Sequence, residues 1–202
     1  MYQLLLDSSN VFLSVGLAKD GKVVDKISYE AWQRQSEMMV QEVDNILKRN
    51  KIDKSELDGV VVGVGPGSYT GVRIGVTIAK TIAYALKIKL YAKSSLSLLK
   101  HPEFPTICVF NARSGRSYLG VYEGKKVLLK DTVLENEKVL EYIKAHPDYL
   151  VCGDTYQLGL ESAKFDIIDN LADFNKNEEV DAFRCNPVYL KDLLWSNTVS
   201  PQ

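Results

Sequence analysis

The sequence predicts an α/β fold of the actin-like (ASKHA), ribonuclease-H-like class, built from two duplicated βββαβα units. Three observations carry that expectation. The apolar pattern reads strand, strand, strand, helix, strand, helix through the first half and follows the same order in the second. A glycine-rich turn, Gly65-Pro66-Gly67-Ser68-Tyr69-Thr70-Gly71, joins an apolar strand to a long apolar helix. The 202 residues, 46% hydrophobic and 25% charged, are enough for one large or two small cored domains. No repeat of the residues themselves accompanies the repeated order, so the class rests on element order alone.

In the first half, strands are expected at 3–6, 11–18 and 22–29, with Lys19-Asp20-Gly21 as a hairpin turn. A helix over 32–49 places Trp32, Met39, Val43 and Ile46 on one stripe. Strand 59–64, the glycine turn, helix 72–86 and strand 89–92 complete the unit. The second half gives strands at 106–110, 117–122 and 126–133, a helix at 136–145 and a strand at 149–152. A short helix at 155–163 and a strand at 165–168 follow. The connector 99–105, with Pro102 and Pro105, sets a boundary between units 1–100 and 101–202. After Asn186-Pro187 a final short helix is expected, then a frayed tail over 196–202.

The glycine turn opens a helix whose free N–H groups suit an anion, yet it fits neither common phosphate motif. No Gly-Lys-Ser or Gly-Lys-Thr occurs, Lys80 lies about two turns along the helix, and Thr70 stands where a dinucleotide turn needs its third glycine. The glycines share a spacing of four, Gly67, Gly71 and Gly75, continued by Ala79 and Ala83. On a helix these form one face of minimal side chains. The rest of the helix is apolar on nearly all sides, so it needs a second cover besides the sheet. A neighbouring helix and another protein both satisfy that need.

Net charge is −1 and the basic residues are scattered, so nucleic-acid binding by this chain alone is expected to be weak. Cys108, Cys152 and Cys185 are odd in number, widely spaced and without a CxxC pair, which argues against a disulfide framework or zinc knuckle. Asp7 interrupts the first apolar stretch after six residues, and no run is long enough to span a bilayer. A cytoplasmic protein with no membrane association is expected.

A ribonuclease-H-type nuclease needs several carboxylates converging on two metal ions. Asp7 and either Glu37 or Glu42 are suitably placed, but the next strand ends Val64-Gly65-Pro66 without an acid. Asp7-Ser8-Ser9-Asn10 reads either as a turn that caps its own backbone or, in an actin-like ATPase, as a phosphate turn. Asp7, Ser8 and Ser9 are therefore the nucleotide candidates. The corresponding turn of the second half, Asn111 to Ser117, offers an amide where an acid would orient metal-bound water. Its Arg113 and Arg116 either meet an anion or acidic partner or are solvated turn arginines. His101 and His146 make no metal-binding pair on a helix, and Ser68 lies outside a G-x-S-x-G elbow. No catalytic or metal-ligating set of its own is expected.

Gly65 to Gly75 closely resembles the GPGSFTGLRIG signature of the bacterial TsaB (YeaZ) family, with Tyr69 and Val72 as conservative changes. Further matches are Asp7-Ser8-Ser9 for D-T-S, Arg34-Gln35-Ser36 near an H-S helix start, Asn111-Ala112-Arg113 for D-A-R, and Pro187-Val188-Tyr189-Leu190 for P-x-Y-L. The chain departs from the pattern at Gln35 and Asn111. The resemblance implies a non-catalytic subunit in the synthesis of N6-threonylcarbamoyladenosine at position 37 of tRNAs that read codons beginning with A. It implies a TsaD-like transferase partner that carries metal-binding histidines, a TsaE-like ATPase, and tRNA met through the complex. ATP and metal then belong to the partner subunits, with no cofactor on this chain. The helical face expected to meet the partner, or a second copy when the chain is alone, comprises Arg34, Met39, Gly67, Ser68, Tyr69, Thr70, Gly71, Arg73, Gly75, Ala79 and Ala83. Within it Gly71, Gly75, Ala79 and Ala83 set a close approach and Arg34 and Arg73 give polar registration. An actin-like ATPase or small-molecule kinase is the alternative, and a peptidase would need a nucleophile and base that the sequence does not offer.

Overall fold

The computed structural model describes residues 1–31, 34–174 and 176–190. Strands β1 (Tyr2–Asp7), β2 (Phe12–Lys19) and β3 (Lys22–Glu30) form an antiparallel meander, turned at Asp20 and Gly21, both at positive φ. Helix α1 (Gln35–Asn50), β4 (Leu57–Gly63), α2 (Tyr69–Leu86) and β5 (Lys89–Lys93) follow, with β4 parallel to both β1 and β5. Alternation decides the faces. Leu4, Leu6, Val60 and Val62 pack with Met39, Val43, Val72 and Val76 of the two helices, while Leu5 and Val61 point to the opposite side. The expected start of α1 at Trp32 lies outside the described residues.

The second sheet is built from β6 (Thr106–Arg113), β7 (Arg116–Glu123), β8 (Lys126–Glu135) and β9 (Leu150–Gly153), ordered β8-β7-β6-β9, with α3 (Asn136–Ala145) on one face. Cys108 and Cys152 are adjacent in the β6–β9 register and fully buried, as small core residues. The actin-like, ribonuclease-H-like arrangement of two sheets is thus present. Among the described residues no helix is long and apolar enough to cross a membrane.

The end of the second unit differs from expectation. The helix expected at 155–163 is a single 3-10 turn, Tyr156–Leu158, stopped by Gly159 in the left-handed region. The strand expected at 165–168 is instead the start of α4 (Ile167–Ala172), because the Asp166 carboxylate accepts from the Ile168 and Asp169 N–H groups and caps a helix. Ile167, Ile168 and Leu171 join the core between the two sheets. The chain crosses back over the boundary expected at residue 100. Strand β10 (Glu179–Val180) returns to the edge of the first sheet beside β5, and 181–190 continues along α2. The final helix and tail expected beyond lie outside the described residues.

A buried polar clamp fixes α4 between the sheets. Lys93 Nζ donates to the Asn170 and Asp173 carbonyls at 2.8 and 2.6 Å, taking up the open end of the helix. Lys100 Nζ donates to the Gly124 carbonyl at 2.7 Å, and Asn170 Nδ2 donates to the Leu98 and Lys100 carbonyls. Burial holds the Lys93 ammonium below the ordinary lysine range, so Lys93→Met removes a desolvation cost while stranding two carbonyls. The stranded acceptors outweigh it, and a loss of roughly 1–2 kcal/mol is expected by urea denaturation.

Candidate interaction site

The β1–β2 turn and the first turn of α2 are locked together. Ser68 caps the helix through its hydroxyl, which accepts from Gly71 N–H at 3.3 Å, and its own N–H donates to the Ser9 carbonyl at 2.7 Å. The Ser8 hydroxyl donates to the Gly71 carbonyl at 2.8 Å. This approach is what the glycines permit. A Cβ on Gly67 would stand 2.4 Å from the Ser9 carbonyl oxygen, and one on Gly71 only 1.9 Å from that of Ser8.

The expectation that the small-residue face meets another protein is therefore corrected. Gly71, Gly75, Ala79 and Ala83 are buried within this chain, against the β1–β2 turn and the sheet. Met39 is likewise fully buried in the core. A leucine at position 75 would press on Ser8 and Val62, so Gly75→Leu would report on packing rather than on association. The remaining cover of α2 comes from the chain's own C-terminal segment. Lys80 Nζ donates to the Phe183 and Cys185 carbonyls at 3.3 and 2.7 Å, Cys185 enters the core, and Val188 N–H donates to the Val64 carbonyl at 2.7 Å. No periodic pattern of apolar residues announces this strap.

The same locking engages the side chains of the nucleotide candidates. Asp7 is fully buried, and its Oδ2 accepts from the Ser9 N–H and hydroxyl at 3.1 and 2.9 Å. Burial pushes its carboxyl up to about 6, against the lowering effect of those two bonds. With Ser8 spent on Gly71 and Ser9 on Asp7, the three side chains turn inward. They do not form a cradle that fits a nucleotide phosphate.

What remains exposed is a polar and aromatic ridge. Tyr69, Thr70 and Arg73 stand on the outer side of α2, and Gly67 and Ser68 are half-buried at its start. The Arg73 guanidinium lies 5.2 Å from the Tyr69 ring centroid and donates to its hydroxyl at 2.8 Å, which fixes both side chains. Tyr69 also packs against Tyr189 of the strap, the rings tilted by 31° with centroids 5.0 Å apart. Tyr84 meets Phe183 edge to face at the far end of the helix. On the adjacent α1, Val40 is 56% exposed, and Arg34 is exposed at its N-cap with Glu37 3.8 Å away. Of the residues expected at the interface, Arg34, Tyr69, Thr70 and Arg73 are thus presented to solvent. Tyr84, Phe183 and Tyr189 belong to the same ridge and were missed, the last two because only the strap brings them there.

Comparison with known proteins adds four similarities. The family model described as TsaD, tRNA N6-adenosine threonylcarbamoyltransferase, matches residues 28–175. The chain is 36% identical over 141 residues to the Bacillus subtilis strain 168 protein named tRNA threonylcarbamoyladenosine biosynthesis protein TsaB, a match covering 68% of this chain and 62% of that one. It thus spans less than two thirds of that relative's length. A Mycoplasma genitalium protein designated MG208 is 29% identical over 195 residues, covering 95% of each chain. The solved structure of YeaZ from Pseudomonas aeruginosa superposes with a TM-score of 0.77 at 22% identity, over 94% of this chain and 99% of that one, and so shares the fold.

Proposed function

The chain belongs to the TsaB (YeaZ) family of TsaD-like proteins, and from that premise we propose that it is a non-catalytic subunit in the formation of N6-threonylcarbamoyladenosine at position 37 of tRNA. It binds and activates a TsaD-like transferase in the cytoplasm, with a TsaE-like ATPase completing the assembly. The tRNA is met through the complex, and ATP and metal reside on the partner subunits. The observation that carries this reading is the ridge on α1 and α2. Tyr69 and Arg73 hold each other in place while both remain exposed, and Val40 on the neighbouring α1 is outward as well. Pre-oriented aromatic and arginine side chains are what association surfaces enrich, since little side-chain freedom is lost on contact. Alone, the same ridge pairs with a second copy about a two-fold axis.

Mixing the chain with the cognate TsaD-like protein, followed by size-exclusion chromatography with light scattering, tests the reading. A heteromer is expected, with tRNA modification only when both are present. Arg73→Glu reverses a charge and frees Tyr69, so it is expected to weaken the heteromer roughly tenfold or more while leaving the melting temperature nearly unchanged. Wild-type association by a folded Arg73→Glu protein would remove the ridge from the interface. The inward-turned Asp7, Ser8 and Ser9 support the absence of a nucleotide on this chain. Isothermal titration with Mg-ATP, where saturable heat from the chain alone would favour the ATPase alternative, checks it.

A further inference from the structure

The tip of the β6–β7 hairpin carries two arginines that no described residue neutralises. Arg113 and Arg116 face each other across the ladder, where like charges repel. Neither has an ion pair among the described residues, although Glu135 stands opposite Arg116 in the β7–β8 register. The nearby Asp154 carboxylate is occupied by the Asn111 N–H at 3.0 Å.

The tip is also held still. Arg113, Ser114 and Gly115 all lie at positive φ, between 55° and 70°. The Asn111 side chain accepts from the Arg113 N–H at 2.8 Å and donates to the Tyr156 hydroxyl at 2.9 Å. Tyr156 is 71% exposed, so its ring is anchored by the hydroxyl while its surface faces water. A pair of guanidinium groups without ion-pair partners on a defined hairpin tip suits phosphate oxygens, and a pinned exposed ring suits an unstacked base.

We propose that this tip is an RNA contact, in which Arg113 and Arg116 hold phosphates of a single-stranded stretch of tRNA and Tyr156 stacks on an unpaired base. The inference rests on the proposed role of the chain within a tRNA-modifying heteromer. Two arginines neutralise at most about two phosphates, which matches a chain of net charge −1 that meets RNA only as part of a complex.

The test is binding of a fluorescein-labelled transcript of a tRNA reading codons that begin with A, by anisotropy, to the heteromer assembled with the TsaD-like partner. Replacing both arginines by alanine is expected to weaken binding about tenfold, and to lower the slope of log affinity against log salt by roughly 1–2 between about 50 and 200 mM. Arg113→Lys with Arg116→Lys retains the wild-type slope. Tyr156→Leu weakens binding about fivefold or more at unchanged slope. A double-alanine heteromer that assembles and binds tRNA with wild-type affinity and slope overturns the inference and leaves the subunit role intact. A double-alanine chain that loses the transferase instead of the RNA overturns it by assigning the tip to a protein partner. A wild-type chain that does not assemble overturns both.

Discussion

Replacing Gly71 by alanine is expected to destabilise the protein by about 3 kcal/mol or more, although alanine is the better helix former. The new Cβ would stand 1.9 Å from the Ser8 carbonyl oxygen. That oxygen belongs to backbone, so relief requires the β1–β2 turn to withdraw from α2. Withdrawal breaks the bond from the Ser8 hydroxyl to the Gly71 carbonyl and the one from Ser68 N–H to the Ser9 carbonyl. The roughly 1 kcal/mol of helix propensity gained at an open site does not offset these losses. Gly75→Ala is the contrasting case. Its Cβ would stand 3.0 Å from the Ser8 hydroxyl oxygen, which needs to give only a few tenths of an ångström and can do so while keeping its bond to the Gly71 carbonyl, and otherwise makes ordinary contacts near 3.8 Å. Its effect is expected to lie within about 1 kcal/mol of zero. Paired denaturation curves of the two variants check this, and equal losses would mean that the turn does not rest on the helix as described.

The contrast shows what the sequence disclosed and what it withheld. A spacing of four correctly placed Gly71, Gly75, Ala79 and Ala83 on one buried face of α2. The identity of the cover was invisible, because it joins residue 8 to residue 71 through the sheet and has no local pattern. Strong periodicity served well elsewhere, as in α3, whose bounds Asn136–Ala145 are those expected, and in β1 to β9, which lie within a few residues of the expected strands, whereas the short edge strand β10 had no such signal. It failed over 155–168, where short apolar runs fit helix and strand equally and the deciding feature is the cap at Asp166. The ridge was half legible. Tyr69 and Arg73 follow from the glycine motif, whereas Tyr189 and Phe183 reach α2 only because β10 brings the chain back to the first sheet. The pinning of Tyr156 by Asn111 is likewise a contact across 45 positions that composition does not announce.

Asp7→Asn is expected to stabilise the protein at neutral pH. In the folded protein the Asp7 carboxyl is buried and pushed up to about 6 from an ordinary 3.8. Between those two values the folded chain keeps a proton that the unfolded chain has released. Stability therefore falls as pH rises through that window, and above about pH 6 the full cost is present. A displacement of about two pH units corresponds to roughly 3 kcal/mol. Structure gives the same sense, since Oδ2 is satisfied by Ser9 while Oδ1 has no hydrogen-bond partner among the described residues. That oxygen sits in the corner where Gly63 has no side chain and the Ser95 hydroxyl is close. An asparagine keeps an acceptor for Ser9 and turns its amide N–H groups toward the Ser95 oxygen, with no charge to desolvate. Urea denaturation from pH 4 to 8 should show the wild type losing stability as pH rises from about 4 to 6, and the Asp7→Asn protein lacking that component. The gain at pH 7 should be about 1–3 kcal/mol, and a variant less stable than wild type at pH 7 would mean that the carboxylate is held by a partner in solution. The chain thus retains a charged group at a stability cost on the turn that seats α2, the helix that carries Tyr69 and Arg73. If the ridge is the partner surface, Asp7→Asn leaves heteromer formation intact while raising stability, because the turn and the helix keep every contact that positions those two side chains.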